Sequence, residues 1–448
     1  MKILGNSIIA TLIIAFIIGQ FFPNQFLVVV YTVLTAVVAI VSLKYSKGLP
    51  RMFGIVMVLL GSSIFLYQQQ PLGIWAEGIT KNLPLVCLVV IVPILGIPIG
   101  LGNYHQHLAG AISRFNRKPD LLYLLITGLF SLIGPITNLG SLYIIHAMLE
   151  NVKPPNALLG RAYVRGFTSV HTWSPYFASV ILVVYSLNIP IYQYLPYGII
   201  LSFFQISVAY YLFRYVEMRH IKVKDFESGQ YINIKMLYEL FAVLLLLTGF
   251  IFLFEPFVQL NASVLISIIV LVFAFLWTAY LCFLKHFFKE INEYRKKILP
   301  GKANEVNLLL TAGFFGVVLS KTPISNYIHS VWVGLANKSV FLLIIMTITI
   351  IAFFSFIGVH QIVTISAIVA TVSYDQLAVH GLVMAMMLLS AWGVATTISP
   401  ISPVTTAVSS LIKENVFKIT IRWNLLYAIF LLLVHSIVIY CIHLFLFS

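Results

Sequence analysis

The sequence predicts an all-α polytopic membrane protein, with about eleven transmembrane helices plus two re-entrant hairpins in two inverted repeats. Three observations predict it. The 448 residues are 60% hydrophobic and 9% charged, with a mean hydropathy of +1.01, whereas a soluble domain carries about 25% charged residues. Apolar runs of about 20 residues, enough to cross a bilayer, recur along the chain. Finally, Phe130-Ser131-Leu132-Ile133-Gly134-Pro135-Ile136-Thr137-Asn138-Leu139-Gly140-Ser141 breaks such a run, and Phe354-Ser355-Phe356-Ile357-Gly358-Val359-His360-Gln361 repeats its Phe-Ser-x-Ile-Gly lead-in. Lipid offers unpaired backbone groups no water, so a break survives only where protein or a hydrated cavity satisfies it.

Spans are expected near 6 to 22, 25 to 43, 51 to 67 and 82 to 102. The first, with only Lys2 before it and no small-residue cleavage site, reads as a retained helix over residues 1–24. A basic segment, Asn103 to Asp120, leads into apolar arms at 121 to 133 and 139 to 149, each too short to cross alone and together a re-entrant hairpin over 121–150. The run 157–188 is interrupted at His171-Thr172-Trp173-Ser174-Pro175. Proline inside a helix removes a hydrogen bond and clashes with the preceding turn, so two half-helices are expected, the second capped by Ser174 with Pro175 in its first turn. A span near 194 to 216 closes the first repeat, 25–216, and a cytoplasmic linker occupies 217–235.

The order then recurs over 236–448: spans near 236 to 254 and 260 to 284, a basic loop at 285 to 302, and a span at 306 to 322. An amphipathic connector, Asn326 to Lys338, precedes a hairpin over 339–374, a helix over 380–413 broken at Ser399-Pro400-Ile401-Ser402-Pro403, and a last span at 422 to 446. Asn103-Tyr104 and Asn326-Tyr327, Gly134 and Gly358, and Ser174 and Ser402 keep their order at nearly equal spacing, which is the signature of an internal repeat.

Lys and Arg concentrate in loops that fall on one side under a count of eleven, among them Lys44, Lys47, Arg51, Arg114, Arg117, Lys118, Lys153, Lys222, Lys224, Lys413, Lys418 and Arg422. The positive-inside bias then puts the amino terminus inside and inverts the repeats. Lys81, Lys321 and Lys338 fall on the other side. This distribution accounts for the formal charge of +14 without a nucleic-acid partner. The implied setting is the lipid bilayer, as in the cytoplasmic membrane of a bacterium.

Inverted repeats with discontinuous helices place a ligand near the midplane, where half-helix N-termini favour an anion and freed carbonyls favour a cation. The expected binding residues are Thr137, Asn138 and Ser141 at the first tip, and His171, Thr172 and Ser174 at the first break. In the second half they are His360, Gln361 and Thr364, then Thr397, Ser399, Ser402 and Thr405. A plainer reading stands beside each: membrane Ser and Thr often bond the preceding turn, and His171 and His360 can pack as neutral rings. Arg161 and Arg165 are expected to snorkel to the cytoplasmic surface.

All thirteen acids fall in loops or near span ends, as Glu239 and Glu255 do. A membrane interior without carboxylates favours an anionic or neutral substrate. No cofactor is expected; the coupling ion would be Na⁺ or H⁺, with Na⁺ at Thr137, Asn138 and Thr364. Cys87, Cys282 and Cys441 have no metal-type spacing, and no Gly-rich loop ending in Lys marks an ATP site.

The arrangement over roughly residues 25 to 448 resembles the ion transporter superfamily, which includes divalent anion/sodium symporters and citrate carriers. In the symporters Ser-Asn-Thr tips hold sodium and substrate carboxylate; Ile136-Thr137-Asn138 matches in part and Val359-His360-Gln361 departs. The resemblance implies a homodimer whose hairpins and broken helices move as an elevator against a fixed scaffold. The expected function is therefore secondary active transport of a small organic anion of carboxylate type, coupled to Na⁺ or H⁺. The alternative is a membrane-embedded enzyme or flippase acting on a lipid-linked substrate.

Overall fold

A computed structural model describes residues 3–104, 118–149, 154–220, 234–258, 260–377 and 379–446. The basic residues Arg114, Arg117, Lys153, Lys222 and Lys224, with most of the 103–120 segment and of the 217–235 linker, lie outside the described residues.

Among the described residues every regular element is helical. Nine helical stretches there are long and apolar enough to cross a membrane, and the chain is an integral membrane protein. The helices Ile3–Phe21, Gln25–Tyr45 and Gly48–Tyr67 are apolar yet leave large side chains such as Phe26, Ile40 and Leu59 exposed, the pattern of a lipid-facing surface. Gly381–Ile398 is the opposite case, buried along nearly its whole length. A helix apolar on every side belongs in the middle of a bundle.

That central helix is the first half of an interrupted helix, and around it sit two helix pairs and a second interrupted helix. The first pair is Pro119–Thr137 and Gly140–Met148; the second is Val340–Phe356 and Gln361–Thr371. The interrupted helices are Asn156–Val170 with Ala178–Ser186, and Gly381–Ile398 with Pro403–Ile412. The first pair packs on Asn156–Val170 and the second on Gly381–Ile398, while the two interrupted helices pack on each other.

Several expectations change. Pro119–Thr137 has 19 residues and is long enough to cross by itself, because Gly134 and Pro135 do not end the helix; Asn138 does. The segment expected as a basic loop at 285 to 302 is a helix, Leu284–Glu293, followed by tight turns that run into Ala303–Ser320. After the first break the helix resumes at Ala178, not Pro175; Ser174 Oγ accepts from Tyr176 N within the turn instead of capping a helix.

Arg161 and Arg165 do not snorkel. Arg165 is wholly buried: Nη1 and Nη2 donate to the Glu217 carboxylate at 2.9 and 2.8 Å, Nε to Asn424 Oδ1 and Nη2 also to the Trp423 carbonyl. Arg161 Nε lies 3.1 Å from Glu217 Oε2. A fork of donors in a dry bundle is satisfied more fully by a bidentate carboxylate and two carbonyl-type oxygens than by reaching for water.

Candidate functional site

The first tip forms because the backbone of Asn138 turns to φ +51°, in the left-handed half of conformational space that Asn tolerates better than most side chains. Its Oδ1 accepts from Leu139 N at 2.8 Å, and both Ser141 N and Ser141 Oγ donate to its carbonyl. The amide Nδ2 is left without a hydrogen bond among the described residues.

At the second tip Gly358 takes φ +112°, and His360 caps the following helix, its Nδ1 accepting from Ile362 N at 3.2 Å. A ring nitrogen that accepts carries no proton, so in the neutral ring the proton sits on Nε2. His360 therefore presents an N–H donor. Gln361 ties this tip to the second interrupted helix, donating to Thr396 Oγ1 at 2.9 Å and accepting from Ser355 Oγ.

The two breaks are closed mostly by their own hydroxyls and by the neighbouring helix. Tyr194 Oη donates to the Thr172 carbonyl at 2.6 Å, and Thr172 Oγ1 donates to the Ser169 carbonyl. Ser402 caps Pro403–Ile412 by accepting from Thr405 N, while Thr405 Oγ1 donates to the Ser399 carbonyl and Ser399 Oγ to that of Ser355. Thr397, Thr137 and Thr364 bond the preceding turn. This is how a helix interruption persists in oil without orphaned carbonyls.

One cavity of about 210 Å³ opens where these features meet. Its wall takes Asn138 and Leu139 from the first tip, Phe167, His171, Phe177 and Ser179 from the first break, His360 and Gln361 from the second tip, and Trp392, Thr396 and Pro403 from the second interrupted helix. Of the expected residues, Asn138, His171, His360 and Gln361 are on the wall; Thr137, Ser141, Thr172, Ser174, Thr364, Thr397, Ser399, Ser402 and Thr405 are not. The nine are hydroxyl residues, and most of those hydroxyls are engaged with nearby backbone.

Residues that the sequence reading missed complete the cavity. Trp392 stacks on His171 with ring centroids 6.2 Å apart, and Phe167 and Phe177 meet the same imidazole edge-on. Ser179 Oγ donates to the His171 carbonyl, which leaves it to accept from His171 Nδ1 at 3.2 Å; among the described residues the buried His171 Nε2, then an acceptor, and the buried Trp392 Nε1 donor have no hydrogen-bond partner. Opposite, Asn304 and Glu305 enter from the first turn of Ala303–Ser320, Glu305 held by Lys302 Nζ at 3.0 and 3.1 Å. Both carboxylates stand at helix ends, as expected, yet they are drawn inward: Glu217 is buried against Arg165, and Glu305 lines the cavity. The second interrupted helix was legible, but no spacing rule distinguishes Trp392 from the other large side chains of Gly381–Ile398.

Among the described residues no group of three or more metal-ligating side chains comes together, and Cys87, Cys282 and Cys441 are free.

Neither a known protein family nor a curated relative matches the sequence. Solved structures do. The chain is similar to the Alcanivorax borkumensis YdaH transporter, at 14% identity over 82% of this chain and 86% of that one, with a TM-score of 0.55. It is also similar to Neisseria gonorrhoeae MtrF, described with a class of antimetabolite efflux pumps, at 14% identity over 84% of each chain and a TM-score of 0.56. At such identity the likeness concerns the fold. The chain has a membrane-transporter fold; assignment to the ion transporter superfamily does not follow from it.

Proposed function

We propose that this chain is a secondary active transporter, not an enzyme, that moves a small organic anion of carboxylate type, coupled to Na⁺ or H⁺. One observation carries the reading: both tips and both helix interruptions line one cavity, whose wall includes Asn138 and His360, one from each half of the chain, each with a side-chain N–H not spent on closing its tip. Two donors on one wall suit a carboxylate, whose two oxygens accept only. The aromatic wall of Phe167, Phe177 and Trp392 supplies apolar area for the rest of the ligand. The likeness to YdaH and MtrF supports transport as the class of activity.

In this reading the cavity faces one side and then the other as the paired and interrupted helices move against Ala303–Ser320 and its neighbours, in a homodimer with the amino terminus inside a bacterial cytoplasmic membrane. Glu305 and the two histidines are the groups available for proton coupling, and Thr137, Asn138 and Thr364 those for Na⁺. The test is uptake into proteoliposomes of a panel of labelled carboxylates, with Na⁺ and proton gradients imposed separately in either direction. Gradient-driven accumulation of at least one acid supports the proposal, and the gradient that drives it names the ion. Equilibration without accumulation, or a lipid product formed without ion flux, overturns it.

A further inference from the structure

A second site lies at the charged ends of the helices, away from the cavity just described. A cleft of about 590 Å³ is walled by Ala157, Arg161, Val216, Glu217, Glu414, Lys418, Arg422, Trp423 and Leu426. It is built by the start of Asn156–Val170, the end of the helix beginning at Ile191, and the turn Lys418–Trp423 that leads into Asn424–Leu446.

Its charges do not balance. Arg161 and the buried Arg165 share the single carboxylate of Glu217, and Lys418 pairs with Glu414 at 2.8 Å. Arg422 is exposed and has no ion-pair or hydrogen-bond partner among the described residues. Three cations and two carboxylates therefore line the cleft, and the buried Arg165 adds a fourth cation that draws on the same Glu217. The ring of Trp423 organises the floor: Arg161 lies over it at 5.6 Å and Lys418 at 5.1 Å, while its backbone carbonyl holds Arg165. Gly160 makes this packing possible, since a Cβ there would sit 2.6 Å from Trp423 ring carbons.

The cleft also has a direction. From Arg422, the residues Leu426, Ile429, Phe430, Leu433 and Ile437 follow at helical spacing, and all are exposed apolar side chains on a helix that crosses the membrane. Such a stripe faces acyl chains. An excess of positive charge therefore sits at the top of a continuous lipid-facing ledge, at the membrane boundary. A free anion in water would use the charge and leave the ledge unused; a phospholipid uses both.

We propose that this cleft binds the phosphate headgroup of an anionic phospholipid, with Arg422 and Lys418 contacting the phosphate and an acyl chain lying along Leu426, Ile429 and Leu433. Because the cleft joins the first interrupted helix to the turn that follows the second, its occupant braces the two halves of the chain against each other.

The purified full-length protein is placed in nanodiscs of phosphatidylcholine alone and of phosphatidylcholine with increasing phosphatidylglycerol, and lipid retention is counted by native mass spectrometry alongside the unfolding midpoint. Phosphatidylglycerol is expected to be retained preferentially and to raise the midpoint saturably, with about fivefold weaker binding for Arg422→Gln and about 25-fold for Lys418→Gln with Arg422→Gln. Arg422→Lys keeps the charge and is expected to keep the preference. Inorganic phosphate in solution is expected to leave the midpoint unchanged. No preference for phosphatidylglycerol, an equal preference in the doubly neutralised variant, or full reproduction of the shift by inorganic phosphate overturns the proposal. Both altered side chains are at the surface of the fold, and the measurement does not depend on transport.

Discussion

Removing the Glu217 carboxylate tests whether the buried charge cluster holds the bundle together. In Glu217→Ala the guanidinium of Arg165, with no exposed surface, loses both oxygens of its one charged partner, at 2.8 and 2.9 Å, and keeps only Asn424 Oδ1, the Trp423 carbonyl and a long contact to Tyr123 Oη. Breaking a buried pair from one side costs about 3–5 kcal/mol, because an uncompensated charge stays behind. The oxygens of Asn424 and Trp423, which stay within hydrogen-bond reach, soften that cost, so the lower end applies, about 3 kcal/mol, or roughly a hundredfold in the unfolding constant. The assay is reversible unfolding in mixed detergent micelles. The companion variant, Arg165→Met with Glu217→Leu, removes both charges of the buried pair, fills the space with apolar groups and leaves only the partly exposed Arg161 without its carboxylate, so it is expected to recover most of the loss and be more stable than Glu217→Ala by about 3 kcal/mol. A Glu217→Ala protein within about 1 kcal/mol of the parent, or a double variant no better than the single one, would refute the view that these charges are a dry, mutually dependent set.

Three further outcomes follow from the site. Asn138→Gly keeps a residue suited to φ +51° and removes the amide; the protein is expected to remain folded, with half-saturation for uptake raised about 10- to 100-fold, the loss of one hydrogen bond to a charged ligand, and parental uptake would remove the first tip from the mechanism. His360→Asn retains a favoured cap for Ile362 N but loses the ring Nε2; unfolding is expected near the parent's while the pH dependence of uptake flattens, and an unaltered pH profile would leave His360 as a cap alone. Gly198→Ala pushes a Cβ to 2.5 Å from the Thr172 carbonyl oxygen, a backbone atom that cannot step aside. A loss of about 1–3 kcal/mol in the same detergent assay is expected, and an unchanged midpoint would show that the first break adjusts freely.

Much of the architecture is legible in the amino-acid sequence. An apolar majority with almost no charge has one stable home, and the periodic return of span-length runs allows little besides helices. One boundary was misplaced: the arm expected to stop at 133 runs through Gly134 and Pro135 to Thr137, and Asn138 ends it because an amide side chain tolerates positive φ. Another was legible: Ser402-Pro403 starts a helix because the hydroxyl accepts the N–H that proline's successors leave free. The same rule misplaced the restart after Ser174, where Tyr176 and Phe177 pack into the turn and the helix waits until Ala178.

What local pattern leaves open is which side chains finally face each other. Thr137, Ser141, Ser399 and Thr405 have the composition of a binding site, but their hydroxyls go to the nearest backbone carbonyl, a competition only three-dimensional distance decides. Arg165 and Glu217 lie 52 positions apart in the chain, and Asn424 lies farther still; nothing in either neighbourhood says that one will neutralise the other instead of reaching water. Trp392 and Glu305 joined the cavity for the same reason. The chain's affinity for oil and its points of interruption are properties of short stretches, fixed by hydrophobicity and backbone torsion. The meeting of two tips, two interruptions and a carboxylate around one space belongs to the packed bundle, because contact between distant segments depends on how all the helices pack at once.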